Sequence, residues 1–334
     1  MAELVFVGCY TGDAGNGTGI TTLSRSPSGS LREVASLPLE SPSWLVRHPA
    51  LPVLYAANET ADGGVTALAI EPSGRLSVLG TAETGGAHPC HLAVTPDGRF
   101  LLCANYTGGS VAVFSLSESG ALVSRTALVQ HSGSGPVTDR QEAAHVHMAV
   151  PSEDGSVVSA VDLGTDEIRS YTLTPSGSLE PLAVSSLPPG TGPRQLVRRP
   201  GTDLAYVVGE LAGTLVTVRE KAPGAFEVVA STPSTLSPVQ PNLVAHLELA
   251  DSRMYVSNRG PDCVTEFALD EAAAVADQPC GKNPRHFALV DGTCYVAAQS
   301  EDAITAFTLT ASGEAELRYY PTGSPTFVLP VSLP

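Results

Sequence analysis

Lysine is almost missing from this chain. Lys221 and Lys282 are the only two, and 18 lysines and arginines together face 34 aspartates and glutamates, for a formal charge of −16 at pH 7. Nucleic acids and anionic membrane surfaces are bound by clustered cations that release counterions, so neither partner is expected. No run approaches the roughly 18 apolar residues that a membrane-spanning helix requires. The strand-like start, Glu3-Leu4-Val5-Phe6-Val7, has no basic leader, apolar stretch or cleavage site ahead of it, which predicts a cytoplasmic protein. Cysteines are six, Cys9, Cys90, Cys103, Cys263, Cys280 and Cys294, with no CxxC spacing; reduced core thiols are expected, not disulfides or a metal site. Aromatic residues make up 5% of the chain and Trp44 is its sole tryptophan, placed in a blade core by its repeat position, which argues against a scaffold with an aromatic binding rim. A GxSxG elbow, a P-loop and an HExxH helix are all lacking, so a serine hydrolase, a nucleotide-binding enzyme and a zinc protease are unsupported, and no cofactor is expected. Nothing reads as a long helix.

What is present is repetition. Proline or a stand-in, two variable residues and a bulky apolar residue recur seven times, at Pro42-Ser43-Trp44-Leu45, Pro89-Cys90-His91-Leu92, His145-Val146-His147-Met148, Pro193-Arg194-Gln195-Leu196, Pro241-Asn242-Leu243-Val244, Pro284-Arg285-His286-Phe287 and Pro325-Thr326-Phe327-Val328. Successive copies stand 47, 56, 48, 48, 43 and 41 residues apart, the period of four-stranded propeller blades. A second register of short apolar strands follows most copies, among them Tyr55-Ala56-Ala57-Asn58, Leu102-Cys103-Ala104-Asn105 and Tyr255-Val256-Ser257-Asn258, with Phe6-Val7-Gly8-Cys9 as the seventh. Turn signals such as Pro96-Asp97-Gly98 separate the registers, and 32 glycines with 27 prolines suit a chain of tight turns. The expected fold is all-β, a seven-bladed β-propeller of four-stranded antiparallel blades, with residues 1–334 as one domain sharing one continuous core.

Equivalent positions of successive blades meet around a propeller axis, so Arg140, Arg194, Arg259 and Arg285, all beside repeat anchors, are expected at one channel mouth. Arginines gathered on an otherwise acidic body point to a small anionic ligand. The longest spacing holds a polar insertion from His131 to Glu142, a loop above the channel where Arg140 and Glu142 become candidate binding residues. His145 and His147 alternate on an extended segment and would project the same way. One of them serves as general base or carbonyl donor, or both are structural. His88 and His91 pose the same question and read first as residues closing a strand start, with His91 kept as a binding candidate. Glu210, aligned here with Asn58, Asn105 and Asn258, lies near Arg194 in sequence; the pair either locks two blades or activates water beside a bound anion. Asp162 and Asn258 cap strand ends or line the channel. Arg259 and Arg285 come from neighbouring blades and would clamp a phosphate or carboxylate together.

In order along the chain, Gly8-Cys9-Tyr10-Thr11-Gly12, His88-Pro89-Cys90-His91, Ala104-Asn105-Tyr106-Thr107-Gly108-Gly109-Ser110, Arg140-Gln141-Glu142 with His145 and His147, Asp162-Leu163-Gly164-Thr165-Asp166, Gly192-Pro193-Arg194, Glu210-Leu211, Ser257-Asn258-Arg259-Gly260 and Asn283-Pro284-Arg285 form an ordered series over about residues 6 to 300. This series resembles the seven-bladed lactonase family that includes cycloisomerase-type 6-phosphogluconolactonases and fungal carboxymuconate cyclase. The resemblance implies a metal-free cleft at one end of the propeller, with His145 or His147, Arg194 and Glu210 as catalytic groups and Arg259 or Arg285 as anion holders. It implies hydrolysis of a sugar-acid lactone, 6-phosphogluconolactone first, with lactonising cyclisation of a carboxylated muconate as the alternative and a non-catalytic binding scaffold as the reading from another class. Gln195, Gly209 and Ala144 stand where the family often has histidine, asparagine and proline. A monomer or weak homo-oligomer is expected.

Overall fold

The computed structural model describes residues 3–237, 239–309 and 316–332, and they form seven four-stranded sheets, each with its strands in meander order. Blade 1 contains Glu3–Cys9, Gly19–Arg25 and Leu31–Pro38, and its innermost strand, Pro325–Ser332, comes from the far end of the chain. That strand pairs antiparallel with Glu3–Cys9, from Glu3 opposite Ser332 to Val7 opposite Val328, and so closes the ring. Blades 2 to 7 begin on the inner strands Pro42–Arg47, Pro89–Val94, Val146–Pro151, Pro193–Arg198, Leu243–Ala250 and Pro284–Val290. Helix is confined among the described residues to two short 3₁₀ turns, Gly12–Ala14 and Gln299–Glu301, and no helix is long and apolar enough to cross a membrane.

Second strands such as Phe100–Asn105 and Val157–Asp162 are buried on both faces, which their Val, Ala, Leu and Cys content permits. Outer strands such as Leu31–Pro38 are largely exposed. Between each pair of neighbouring blades lies one apolar cluster. Leu4, Phe6 and Ile20 of blade 1 meet Leu45, Leu54 and Leu68 of blade 2, and the series ends with Tyr295 and Ile304 of blade 7 against Val5 and Leu23 of blade 1. The core is thus a ring of seven inter-blade seams. Buried tyrosines of the second strands stitch those seams: Tyr55 donates to the Gly120 carbonyl at 2.7 Å, Tyr206 to Leu269 at 3.1 Å and Tyr295 to Gly29 at 2.7 Å.

Each inner strand carries a register slip near its start, as where Pro89 opposes Asn105 but His91 opposes Ala104. Equivalent slips occur at Pro42/Trp44, Val146/Met148, Pro193/Gln195, Val244/Leu247 and Pro284/His286, and in blade 1 the slip falls at Gly8/Cys9. Two residues then face one, which breaks strict alternation and aims successive side chains toward the axis. This register corrects two of the seven repeat copies. Blade 4 aligns as Val146-His147-Met148-Ala149, and blade 6 as Val244-Ala245-His246-Leu247. The loops ahead of these two strands had hidden the shift.

The third residue of each copy fills the axis. Trp44 lies 4.4 Å from both His91 and Phe327 by ring centroid, and His286 lies 3.8 Å from both His246 and Phe327. Trp44 therefore belongs to an axial plug shared by several blades, not to a single blade core. Gln195 completes the plug by bonding both backbone groups of Leu247, at 3.1 and 2.6 Å.

Burial holds the plug histidines neutral: His91 and His246 are each pulled down to about 3, and His286 well below the usual imidazole range. An unfolded imidazole titrates near ~6.5, so the unfolded chain binds more protons below that pH. The stability they contribute is present above ~6.5 and falls away on acidification, by up to about 1.4 kcal/mol per pH unit for each histidine. Thermal melts are expected to hold steady above neutrality and to fall steeply between pH 6 and pH 4 (about the window just given). His91→Phe should flatten that fall; an unchanged slope would mean that the plug does not sense acid.

Candidate active site

The bulged second residue of each copy points above the plug, and a second ring of side chains joins it from the end of the second strands or the residue just past it. From the first ring come Ser43, Cys90, His147, Arg194, Arg285 and Thr326, and from the second Tyr10, Glu59, Tyr106, Glu210 and Arg259. With Arg140, Trp44 and Leu243 they line a cleft of about 270 Å³ at the mouth of the axis. That is the scale of one small polar ligand.

Glu210 is clasped by three guanidinium groups. Arg194 Nη1 donates to Oε2 at 2.7 Å, Arg140 Nη2 donates to Oε1 at 2.8 Å, and Arg259 Nη2 lies 2.8 Å from Oε2. Burial alone would raise the Glu210 carboxyl, but Arg259, Arg194 and Arg140 hold it well below the usual carboxylate range. Burial pulls Arg259 down to about 9 against the pull of Glu210, so it remains cationic at neutral pH. Among the described residues its Nη2 makes no hydrogen bond of good geometry beyond that ion pair, which leaves one of its two protons for a ligand.

Arg194 is fixed on three sides. Its Nε donates to the Ala245 carbonyl at 2.8 Å, and its Nη1 also lies 2.5 Å from His147 Nε2. A guanidinium can only donate, so His147 Nε2 is the acceptor and the imidazole is neutral. Burial first, then the Arg194 charge, hold His147 well below the ordinary histidine range. Its other nitrogen, Nδ1, lies 3.6 Å from Cys90 Sγ. All six cysteines are buried and unpaired, and Cys90 differs from the core thiols expected from sequence in facing the cleft.

A second hydrogen-bonded chain crosses blades 7, 1 and 2. Arg285 Nη2 donates to Tyr10 Oη at 2.8 Å, and Tyr10 Oη donates to Glu59 Oε1 at 3.0 Å. Burial pushes the Glu59 carboxyl above its ordinary value, only partly offset by the Arg285 charge. The cleft therefore holds two carboxylates in opposite electrostatic states. Among the described residues no group of three or more His, Cys, Asp or Glu side chains is placed to hold a metal ion.

Of the residues singled out from sequence, Arg140, His147, Arg194, Glu210, Arg259 and Arg285 meet in this cleft. The insertion does deliver Arg140, anchored by buried Gln141, whose Nε2 donates to Leu163 at 2.8 Å. Five others stand outside its walls. His145 precedes the bulge and does not project with His147; it stacks on Tyr106 at 4.6 Å, and its Nε2 meets Glu142 at 3.0 Å. Glu142 is mostly exposed and so braces His145 from outside. His91 lies in the plug. Asp162 ties down both ends of the insertion, bonding His131 Nδ1 at 2.8 Å and the His145 amide at 2.8 Å. Asn258 bonds Ser234, Asn242 and Thr265 between strands.

Sequence reasoning missed Tyr10, Glu59 and Tyr106 because it aligned Glu210 with Asn58, Asn105 and Asn258. The register pairs those asparagines with Gly209, each opposite the first residue of its third strand. The true counterparts of Glu210 are the next residues along, Glu59, Tyr106 and Arg259. One further step in that alignment would have found them.

A family model described as "Lactonase, 7-bladed beta-propeller" matches residues 4–330. This chain belongs to the seven-bladed β-propeller lactonase family. Among its relatives, a 6-phosphogluconolactonase of Bacillus subtilis (strain 168) is 32% identical over 273 residues, 80% of this chain and 77% of that protein. A 6-phosphogluconolactonase of Formosa agariphila is 28% identical over 307 residues, 85% of this chain and 86% of that protein. The structure of a periplasmic gluconolactonase from Pseudomonas aeruginosa superposes with a TM-score of 0.92 at 28% identity, covering 100% of both chains. As a lactonase-family cleft, the site carries its polar groups on strand ends of a closed propeller, which leaves them little freedom to relax.

Removing the clasped carboxylate should be costly, since buried guanidinium groups would lose their counter-charge. Glu210→Ala is expected to lower unfolding free energy by about 3–5 kcal/mol in urea titration, with part recovered when inorganic phosphate is added. An unchanged urea midpoint would show that Glu210 does not hold the arginines together.

Proposed function

We propose that this protein is a lactonase that opens a phosphorylated sugar-acid lactone, 6-phosphogluconolactone to 6-phosphogluconate, in the arginine-lined cleft of one propeller domain. The observation that carries this reading is the composition of the cleft. Four arginines and only two carboxylates line it, on a protein whose formal charge is −16. A local cationic well in an acidic body draws small anions and disfavours polyanions that must lie across the surface.

The chemistry follows from what each arginine has free. Arg259 Nη2 and the Arg285 guanidinium lie on neighbouring blades and supply donors for a phosphate, which they would hold without a metal. Arg194 has its Nε and Nη1 engaged by protein, and no hydrogen bond occupies its Nη2 among the described residues. A lactone carbonyl placed against Nη2 meets a fixed positive charge as its oxygen becomes an oxyanion. His147 and Glu210 serve this arrangement by holding Arg194 in place. Relatives named 6-phosphogluconolactonase support the choice of substrate.

Hydrolysis of 6-phosphogluconolactone is expected to run well above spontaneous opening and to survive chelator. Arg194→Ala should lower kcat/KM by about 10²–10³-fold. Rates equal to those in buffer, or activity lost on chelation, would overturn this reading; acceleration of muconate lactonisation instead would reassign the same arginines to carboxylates.

A further inference from the structure

The lactonase reading leaves open which group takes the proton from water: of the three residues expected to do so, His145 stands outside the cleft and Glu210 and His147 are both engaged. Glu210 accepts from two arginines with a third beside it. His147 accepts the Arg194 proton on Nε2, the nitrogen that would have to act as base. Either would have to break a strong contact before it could receive a proton. Glu59 differs. It lines the same cleft from blade 2, three blades round the ring from Arg194, and among the described residues it makes no ion pair. Its Oε1 accepts from Tyr10, which is itself braced by Arg285; the Ser43 hydroxyl stands near the carboxylate, and among the described residues no hydrogen bond of normal geometry occupies Oε2.

We infer that Glu59 is the general base of the lactonase reaction and that Tyr10, held by Arg285, positions it. Water bound between Glu59 Oε2 and the ester carbonyl gives its proton to Oε2 as its oxygen bonds to the carbonyl carbon. The carbonyl electron pair moves onto oxygen, facing Arg194. Collapse of that intermediate breaks the bond to the ring oxygen, which leaves carrying the proton from Glu59. The new carboxylic acid loses its own proton to solvent, and Glu59 returns to the carboxylate. This inference rests on the proposed function above and names a group in the same cleft.

The electrostatics agree with the geometry. A base works best with a pKa near the working pH, and burial raises Glu59 in that direction. Tyr10 and Arg285 face it from one side and Cys90 and Arg194 from the others. Burial moves the Tyr10 phenol and Cys90 thiol upward, away from the acidic range. Glu210 and His147 are both held well below their ordinary values, so of the two cleft carboxyls only Glu59 is moved toward neutrality.

The test is the pH profile of kcat/KM for lactone hydrolysis, with binding of 6-phosphogluconate measured by calorimetry on the same samples. Wild type should show an acid limb. Glu59→Gln should lose about 10²–10⁴-fold in kcat/KM, lose the limb and still bind product. Glu59→Asp should keep a limb at reduced rate, and Tyr10→Phe should move the limb to higher pH, because a donor to the carboxylate is gone. A Glu59→Gln enzyme with wild-type rate and an intact limb would overturn the inference while leaving the lactonase reading standing. Should Glu59→Gln fail to fold, a Tyr10→Phe limb at the wild-type pH would overturn it. Wild-type rates no faster than buffer would remove both.

Discussion

One extra residue near the start of each inner strand determines what this protein presents to solvent. Without the bulge, a strand entering the axis would send alternate side chains to its two neighbours and leave the mouth to chance. With it, consecutive residues split their duties: one packs below, into the stacked plug of Trp44, His91, His246, His286 and Phe327, and the one before it opens above. The plug closes the axis beneath the cleft, so the side chains above it stand on a floor that cannot sink. The cost is a set of imidazoles that burial keeps from taking up a proton, so acid works against this floor.

The same cleft shows how placement decides chemistry. Glu59 and Glu210 are the same residue type in the same slot of two blades, yet one is flanked by guanidinium groups and the other by a phenol. Crowding by cations makes Glu210 a counter-ion; burial, only partly offset by the Arg285 charge, raises Glu59. Neither the slot nor the residue identity separates these roles. What separates them is which blades sit beside each, since Arg140, Arg194 and Arg259 all approach from blade 5, its neighbour, or the loop before blade 4.

Much of this was legible in the chain. The repeat spacing and the second register of strands pointed to seven blades, and the rule that matching positions meet at the axis gathered six of the cleft residues. What failed did so for one reason. Side-chain direction in a strand has a period of two, so a one-residue error reverses it. Reading Glu210 as the partner of Asn105 placed a cleft residue among inter-strand caps and hid Glu59. Reading His145 as the first residue of its copy assumed unbroken alternation through the place where the chain bulges. No local signal in Val146-His147-Met148 marks that bulge; it emerges from pairing with the next strand, where Val146 stands opposite Asp162 and Met148 opposite Val161.

The closing seam has a consequence of its own. Tyr10 belongs to the blade that Pro325–Ser332 completes and Arg285 to the blade beside it, and the two meet directly across that junction. The closing strand also brings Thr326 to the cleft beside Tyr10, so this side of the mouth is built where the ring is joined. A ring opened at this blade would keep Glu210 among its three arginines but part the Arg285–Tyr10–Glu59 line across from them, so the two halves of the cleft depend on ring closure to unequal degrees.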